Sequence, residues 1–257
     1  MSDTPRDGLS IASYNIHKGL SFFNRRVVLH DVRSRLIEIN ADVTFLQEVQ
    51  GHHAHHAGRF RAWPNHPQHE FIASDLGLQT AYGKNAVYEH GHHGNAILSR
   101  FPILSWENVD ISSHVFESRG LLHCELDVPG LSQPLHALCL HLALNESGRR
   151  RQMHLLSERI RRMVPDDAPL IIAGDFNDWR ERAGGYLAEE LGLREVFQTA
   201  HGRHARSFPA ALPLISLDRI YVRGFDIAGA QVLHGSHWRR LSDHAALTAQ
   251  LVPQPAF

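Results

Sequence analysis

PLIIAGDFND, residues 169–178, is the stretch on which the fold turns. Its apolar run over 170–175 reads as a buried strand that ends on a carboxylate, Asp175. Asn177 follows two residues later, and in an extended segment both side chains project from the same side. Taken alone, the same letters read equally well as an Asx-rich turn.

The pattern repeats along the chain. Residues 9–15 read as a strand ending at Asn15, and 43–49 as a short buried strand carrying Gln47 and Glu48. Asn95 opens a strand over 95–99. A hairpin of 120–128 and 135–140, split by Pro129 and Gly130, runs into His141. Short strands are expected near 206–208, 217–222, 230–233 and 245–251; Asp218 lies in one, and Asp243 and His244 stand just before another. A turn residue or helix cap explains any single case. Polar residues at one strand end after another are the arrangement by which a rigid scaffold aims side chains into one cleft.

Helices fill the gaps. Val28, Val32, Leu36 and Ile39 recur at near-helical spacing, so 27–40 is expected to be helical with Asn40 as its stop. A second helix carries Met153, Leu156, Ile160 and Met163 on one side and arginines on the other, with Asn145 or Ser147 as its cap. Residues 184–191 read as a short helix. The His-rich segment 51–70, with Pro64 and Pro67, reads as a loop, and 90–93 as a turn.

The 257 residues, 43% of them hydrophobic, suffice for one domain, 1–257, with a full core. A formal net charge of −1 shows no global basic groove for long nucleic acid. Cys124 and Cys139 sit in apolar segments and read as buried thiols, not a disulfide framework. The polar opening MSDTPRDGLS lacks the pattern of a signal peptide, and no apolar run is long enough to span a bilayer. The expectation is a soluble cytoplasmic monomer, with peripheral membrane contact left open.

Glu48 and Asp243 are hard oxygen donors suited to Mg²⁺ or Mn²⁺. A buried Asp218 needs a partner, and His244 can be that partner. Lys18 and Arg119 read either as a phosphate clamp or as ordinary surface cations. Arg149, Arg150 and Arg151 read as a solvated helix face. HHAHH (52–56) and HGHHG (90–94) read as surface loops, not designed metal sites. Arg206, Ser207, Phe208 and Pro209 fit a substrate mouth or a plain edge strand and turn.

SYNIHKG (13–19), LQEV (46–49), GNAILSRFPI (94–103), LHLAL (140–144), GDFND (174–178), LDRIYV (217–222) and SDHAAL (242–247) together resemble the endonuclease/exonuclease/phosphatase family. That family includes DNase I-like nucleases, abasic-site endonucleases, neutral sphingomyelinases and inositol polyphosphate 5-phosphatases. The motifs occur in the family's order over nearly the whole chain, and YNIHKG, GNAILSRFP and HLAL resemble most a bacterial subgroup of undefined substrate.

The resemblance implies an α/β fold of four layers, α/β/β/α, with two mixed sheets face to face and helices outside. It implies a Mg²⁺- or Mn²⁺-dependent phosphoester hydrolase, foremost a phosphodiesterase, with in-line attack of water at phosphorus. The substrate is then a nucleic acid or a phospholipid or sphingomyelin-type headgroup. The alternatives are a phosphomonoesterase on inositol or nucleotide phosphates and an inactive member that binds phosphate ligands. By the same resemblance Glu48 is the principal metal ligand, with Asn15 and Asp243 as further metal-site residues, direct or through water. Asp175 orients or deprotonates the water, helped by Asn177. His244, braced by Asp218, contacts the phosphate, and His141 is a second phosphate-stabilising or acid residue. Asn95, Arg119, His17 and Lys18 complete the phosphate side. His17 stands where some nuclease members carry an acid, a departure from their metal shell.

Overall fold

The computed structural model describes residues 8–114, 116–181, 187 and 190–255. The helix expected over 184–191 falls largely outside them. β1 (Leu9–Asn15) is buried along its whole length. That follows from cover on both faces: Leu9 and Ile11 enter a core between two sheets, whereas Tyr14 packs beneath helices.

The first sheet has the order β11-β12-β1-β2-β4-β3 and the second β5-β6-β7-β8-β10-β9. Here β2 is Val43–His53, β3 Gln79–Tyr88, β4 Gly91–Ser99, β5 Ile103–Asp110, β6 Gly120–Leu126 and β7 Leu135–His141. β8 is Leu170–Asp175, β9 Arg194–Glu195, β10 Asp218–Arg223, β11 Phe225–Val232 and β12 Leu247–Pro253. Each sheet is mixed: β1–β2 and β7–β8 are parallel, and their other neighbours antiparallel. Phe45, Ile97, Cys124, Cys139, Ile171 and Ile220 meet between the sheets, and both cysteines are buried and free.

α1 (Leu29–Ile39) and α3 (Gln68–Ser74) cover the first sheet through Leu29, Val32, Leu36 and Ile72. α4 (Glu146–Met163) covers the second through Met153, Leu156 and Ile160. The four expected layers are therefore present. Asn145 caps α4, its side chain accepting the Gly148 amide at 2.7 Å. α5 (Val196–His201) closes one edge. Among the described residues no helix is long and apolar enough to cross a membrane.

The His-rich segment differs from expectation. β2 runs on to His53, α2 (Ala54–Arg59) follows, and α3 starts at Gln68. The His53 side chain caps α2 by accepting the His56 amide at 3.1 Å, and the two imidazoles stack at 3.5 Å. α2 buries no residue, so it leaves no apolar period to read. His92 and His93, expected in a turn, lie in β4 and pair with β3. The strands β3 and β5 went unforeseen. Both are sheet edges with half-exposed faces, so neither alternates cleanly.

Gly174 sits at φ +152°, where an added Cβ would lie 2.0 Å from the Leu140 carbonyl oxygen. Gly174→Ala is expected to cost more than about 2 kcal/mol, against about 1 kcal/mol for Asn145→Ala at the α4 cap. Urea melts of both variants check the ranking, and equal midpoints would refute it.

Candidate active site

Strand register does most of the assembly. Asp175 ends β8, with His141 opposite it on parallel β7 and Asp218 opposite it on antiparallel β10. Three adjacent strands thus deliver two carboxylates and an imidazole to one edge of the second sheet. Gly174 before Asp175 lets the strand approach β7 closely, and the Leu142 amide then binds the Asp175 carbonyl at 2.8 Å.

The first sheet brings its own set. Asn15 ends β1 and pairs with Gln47 on β2. The next residue, Glu48, sits at φ 55°, inside a register break between Leu46 and Val49. A bulge re-aims the side chain it carries, and here it turns Glu48 into the cleft. Asn15 Nδ2 donates to Asp175 Oδ2 at 3.2 Å and reaches Glu48 Oε1 at 3.5 Å, tying the two sheets together.

Asp175 is the hub. Its Oδ1 accepts the Asn177 amide at 2.9 Å. Its Oδ2 faces His141 Nε2 at 3.4 Å and His244 Nε2 at 3.6 Å. His244 Nδ1 lies 2.8 Å from Asp218 Oδ2, so the imidazole bridges two carboxylates. Burial alone would strip its proton, but Asp218 and Asp175 outweigh that and push its pKa up to about 10. Burial raises Asp175 to about 6, with the nearby His244 charge working against it. His141 moves the other way. Burial, with Arg119 and His244 close by, holds it well below the ordinary imidazole value. It is neutral at neutral pH, so it offers a hydrogen bond and not the proton of a loaded acid.

Ser242 and Ser207 are the fasteners. Ser242 Oγ donates to the Asn15 carbonyl at 2.6 Å and receives the His244 amide at 3.1 Å. Ser207 Oγ receives the Asp218 amide at 3.2 Å. His17 Nδ1 lies 3.3 Å from Asp243 Oδ1, and that contact keeps Asp243 ionised against the pull of burial.

Glu48, His141, Asp175, Asn177, Asp243 and His244 line one open cleft of about 390 Å³, together with Leu144, Trp179 and Phe208. Lys18 Nζ stands 3.7 Å from Glu48 Oε2. Arg119 is largely buried close to Asp175 and Glu48, with Glu117 3.9 Å from its Nε. Asn95 differs: its Nδ2 donates to the carbonyls of Gly120 and Cys139, at 3.0 and 3.4 Å, and so ties the sheets. Only its acceptor oxygen is left, which suits a donor and not a phosphate. Asn177 Nδ2 likewise holds the Leu142 carbonyl at 2.9 Å.

The sequence reading missed Ser242, Leu144 and Trp179. The available signal was position: Ser242 and Leu144 lie inside SDHAAL and LHLAL, and Trp179 directly follows GDFND. Among the described residues, only Asp175, Asp218 and His244 place three metal-ligand-type atoms within 4.8 Å of one another. The His-rich segments form no such group. Glu48 Oε2, buried at the cleft, accepts no hydrogen bond. An oxygen donor held ready without a hydrogen-bonded partner fits a hard cation.

The model of the Endonuclease/Exonuclease/phosphatase family matches residues 12–244. This chain belongs to the endonuclease/exonuclease/phosphatase family. Members of this family are hydrolases acting on phosphoesters. Uncharacterized protein YbhP of Escherichia coli (strain K12) is 43% identical over 248 residues, covering 96% of this chain and 98% of its own. The endonuclease/exonuclease/phosphatase structure from Beutenbergia cavernae has TM-score 0.77 at 20% identity, covering 98% of this chain and 73% of that one. The one from Bacteroides vulgatus has TM-score 0.75 at 16% identity, covering 96% and 99%. The likeness in fold to these solved family members spans both sheets.

The imidazoles give this family member a pH-dependent stability. Burial holds His69 and His93 down to about 4, His123 to about 3, and His141 also low. Unfolding restores values near 6.5, so the unfolded chain binds more protons as pH falls below that. Their contribution is complete above 6.5 and is lost as pH falls towards 4 and 3. Asp175 opposes this below about 6, as a single group. The raised His244 contributes fully below 6.5 and fades as pH rises towards 10. Melting temperature should therefore peak near neutral pH and drop on acidification. A scanning-fluorimetry series from pH 7 to 4.5 with a level midpoint would contradict it.

Proposed function

We propose that this protein is a divalent-metal-dependent phosphodiesterase that cleaves by direct attack of water at phosphorus. The observation that carries the reading is the Asp175–His244–Asp218 relay facing Glu48 across one cleft, where Glu48 Oε2 accepts no hydrogen bond among the described residues and has the Lys18 ammonium near it, at 3.7 Å.

Glu48 and Asp243 are the residues that would hold the cation, Mg²⁺ or Mn²⁺ by the hardness of their oxygens. Asn15 turns its amide nitrogen to the carboxylates and its oxygen to the His17 amide. It therefore orients Glu48 rather than ligating. When bound, the cation supplies charge on the phosphate oxygens and favours a nucleophilic water.

The chain's own groups do the rest. Asp175, raised to about 6, is basic enough to take a proton from water yet ionised at neutral pH. Its contacts to Asn15, His141 and His244, at 3.2 to 3.6 Å, are long and leave it able to accept that proton. His244, kept cationic by Asp218, holds a non-bridging phosphate oxygen. Neutral His141 donates to a second. The water oxygen bonds to phosphorus, its proton passes to Asp175, and the ester oxygen leaves with its electron pair; no enzyme–phosphate bond forms.

The cleft mouth supports a diester. Leu144 is 75% and Trp179 54% exposed, and with Phe208 and Ile215 they make an apolar collar suited to a bulky second ester arm. A compact monoester would leave that collar unused.

Hydrolysis of bis-nitrophenyl phosphate with Mg²⁺ or Mn²⁺ tests the reading. Chelation should abolish turnover and restored metal recover it. Asp175→Asn and Glu48→Gln should each lower kcat by about 10²–10⁴-fold. Trp179→Ala should raise KM while sparing kcat. Turnover that survives chelation, or that survives Asp175→Asn, refutes the mechanism. A stronger preference for nitrophenyl phosphate than for its diester refutes the diesterase assignment.

A further inference from the structure

A second concavity, of about 580 Å³, opens behind the cleft wall, between α5, the 203–213 segment and the turn at 232–239. That size falls within the ~300–1,000 Å³ usual for small-ligand sites. Arg203, Arg206 and Arg239 line it, with His201, His204 and His234, and no carboxylate does. None of the three arginines makes an ion pair among the described residues. A solvated helix face does not account for this, because the arginines come from two separate segments outside the α-helices, 203–206 and the turn at 239, and converge on a hollow.

The walls are anchored. Ala205 and Ser207, on either side of Arg206, are buried. Arg239 belongs to a 3-10 turn, Trp238–Arg240, whose Trp238 packs edge-on against Tyr14 at 5.8 Å. His204 Nδ1 is held 3.1 Å from Glu195 Oε2, and His201 Nε2 lies 2.9 Å from the Ala230 carbonyl. The three exposed arginines are thus mounted on fixed backbone around an open space. A multiply charged anion placed there is attracted by all three. Guanidinium forks match phosphate oxygens two at a time.

We propose that this pocket is a binding site for a phosphate-bearing anion of two or more negative charges, separate from the cleavage cleft. The two share a wall. Ala210 N donates to the Asp243 carbonyl at 2.7 Å, Ala245 N donates to the Ser207 carbonyl at 2.8 Å, and the Phe208 ring lies 5.1 Å from His244. The anion is either a further phosphate of the substrate or a free polyphosphate. Only the first source rests on the hydrolase reading; the site itself does not.

The test is calorimetric titration of the metal-free, full-length protein with inorganic tripolyphosphate at low ionic strength. Saturable binding is expected in the wild type and equally in Asp175→Asn. The combined variant Arg203→Gln, Arg206→Gln, Arg239→Gln should lose about tenfold or more in affinity. Arg239→Gln alone, on an exposed turn, should show part of that loss and settles the matter if the triple variant misfolds. No saturable binding by wild type, or wild-type affinity in these variants, overturns the site. With Mg²⁺ in excess over the probe, its effect on diester hydrolysis separates the sources. Competitive inhibition that is lost in the triple variant assigns a further substrate phosphate. A change in kcat that is lost in the triple variant assigns a free polyphosphate. Equal inhibition of both enzymes places the probe in the cleft and overturns the proposal.

Discussion

Asp175 is a carboxylate with almost no access to water, and that constraint organises the molecule. An ionised group withdrawn from solvent costs several kcal/mol unless donors surround it. Those donors come from every direction the fold offers: His141 from β7, Asn15 from the opposite sheet, His244 from the segment before β12, and the Asn177 amide from its own turn. Satisfying Asp175 therefore requires the two sheets to meet with these strand ends together. The apolar layer between the sheets supplies the attraction but no unique registration, since one aliphatic contact resembles another. Polar ties across it supply the registration: Asn15 to Asp175, Asn95 to the Gly120 and Cys139 carbonyls, and Gln47 Nε2 to Cys139 Sγ at 3.3 Å.

The other organising point is a local fault. Glu48 occupies positive φ, which costs a residue with a Cβ about 1–3 kcal/mol. A regular β2 would put the side chain after buried Gln47 on the wrong side of the pleat. The register break against β4 lets consecutive residues serve two ends: Gln47 binds inside the core and Glu48 points into the cleft. Strain kept at a carboxylate with a buried oxygen that accepts no hydrogen bond is strain kept where a ligand can repay it.

The strands that carry these groups, β1, β2, β7, β8 and β10, were legible because they are buried along most of their length and read as predominantly apolar runs. Their terminal polar residues stood out by contrast, and the motif order in the chain then implied the four layers. What escaped was whatever lacks an apolar period. α2 is organised by imidazole stacking and a histidine cap, and the edge strands β3 and β5 have half-exposed faces with no clean alternation. Sequence spacing also says nothing about which atom of an amide faces which neighbour. Asn15 and Asn95 were expected at the site as a ligand and a phosphate contact. Their amide nitrogens bind carboxylates in one case and backbone carbonyls in the other. Arg239 is far in sequence from Arg203 and Arg206, and only the folded chain brings the three round one hollow.

A chain with 21 histidines and a net charge of −1 could use imidazole in one way throughout, as a solvating surface group. The cleft instead separates two of them. His141 and His244 both face Asp175 Oδ2, within 3.4 and 3.6 Å, and both are deeply buried, so desolvation acts on each alike. The difference is Asp218: it holds His244 Nδ1, whereas among the described residues His141 pairs with no carboxylate besides Asp175. One carboxylate on an adjacent strand therefore turns similar burial into opposite charge states, a cation and a neutral donor flanking the same carboxylate. Under the proposed function, a phosphate entering there meets positive charge on one side without two imidazolium ions repelling each other on both. The pairing of Asp218 with Asp175 across β10 and β8 is what makes that asymmetry a property of strand register, and so of the fold.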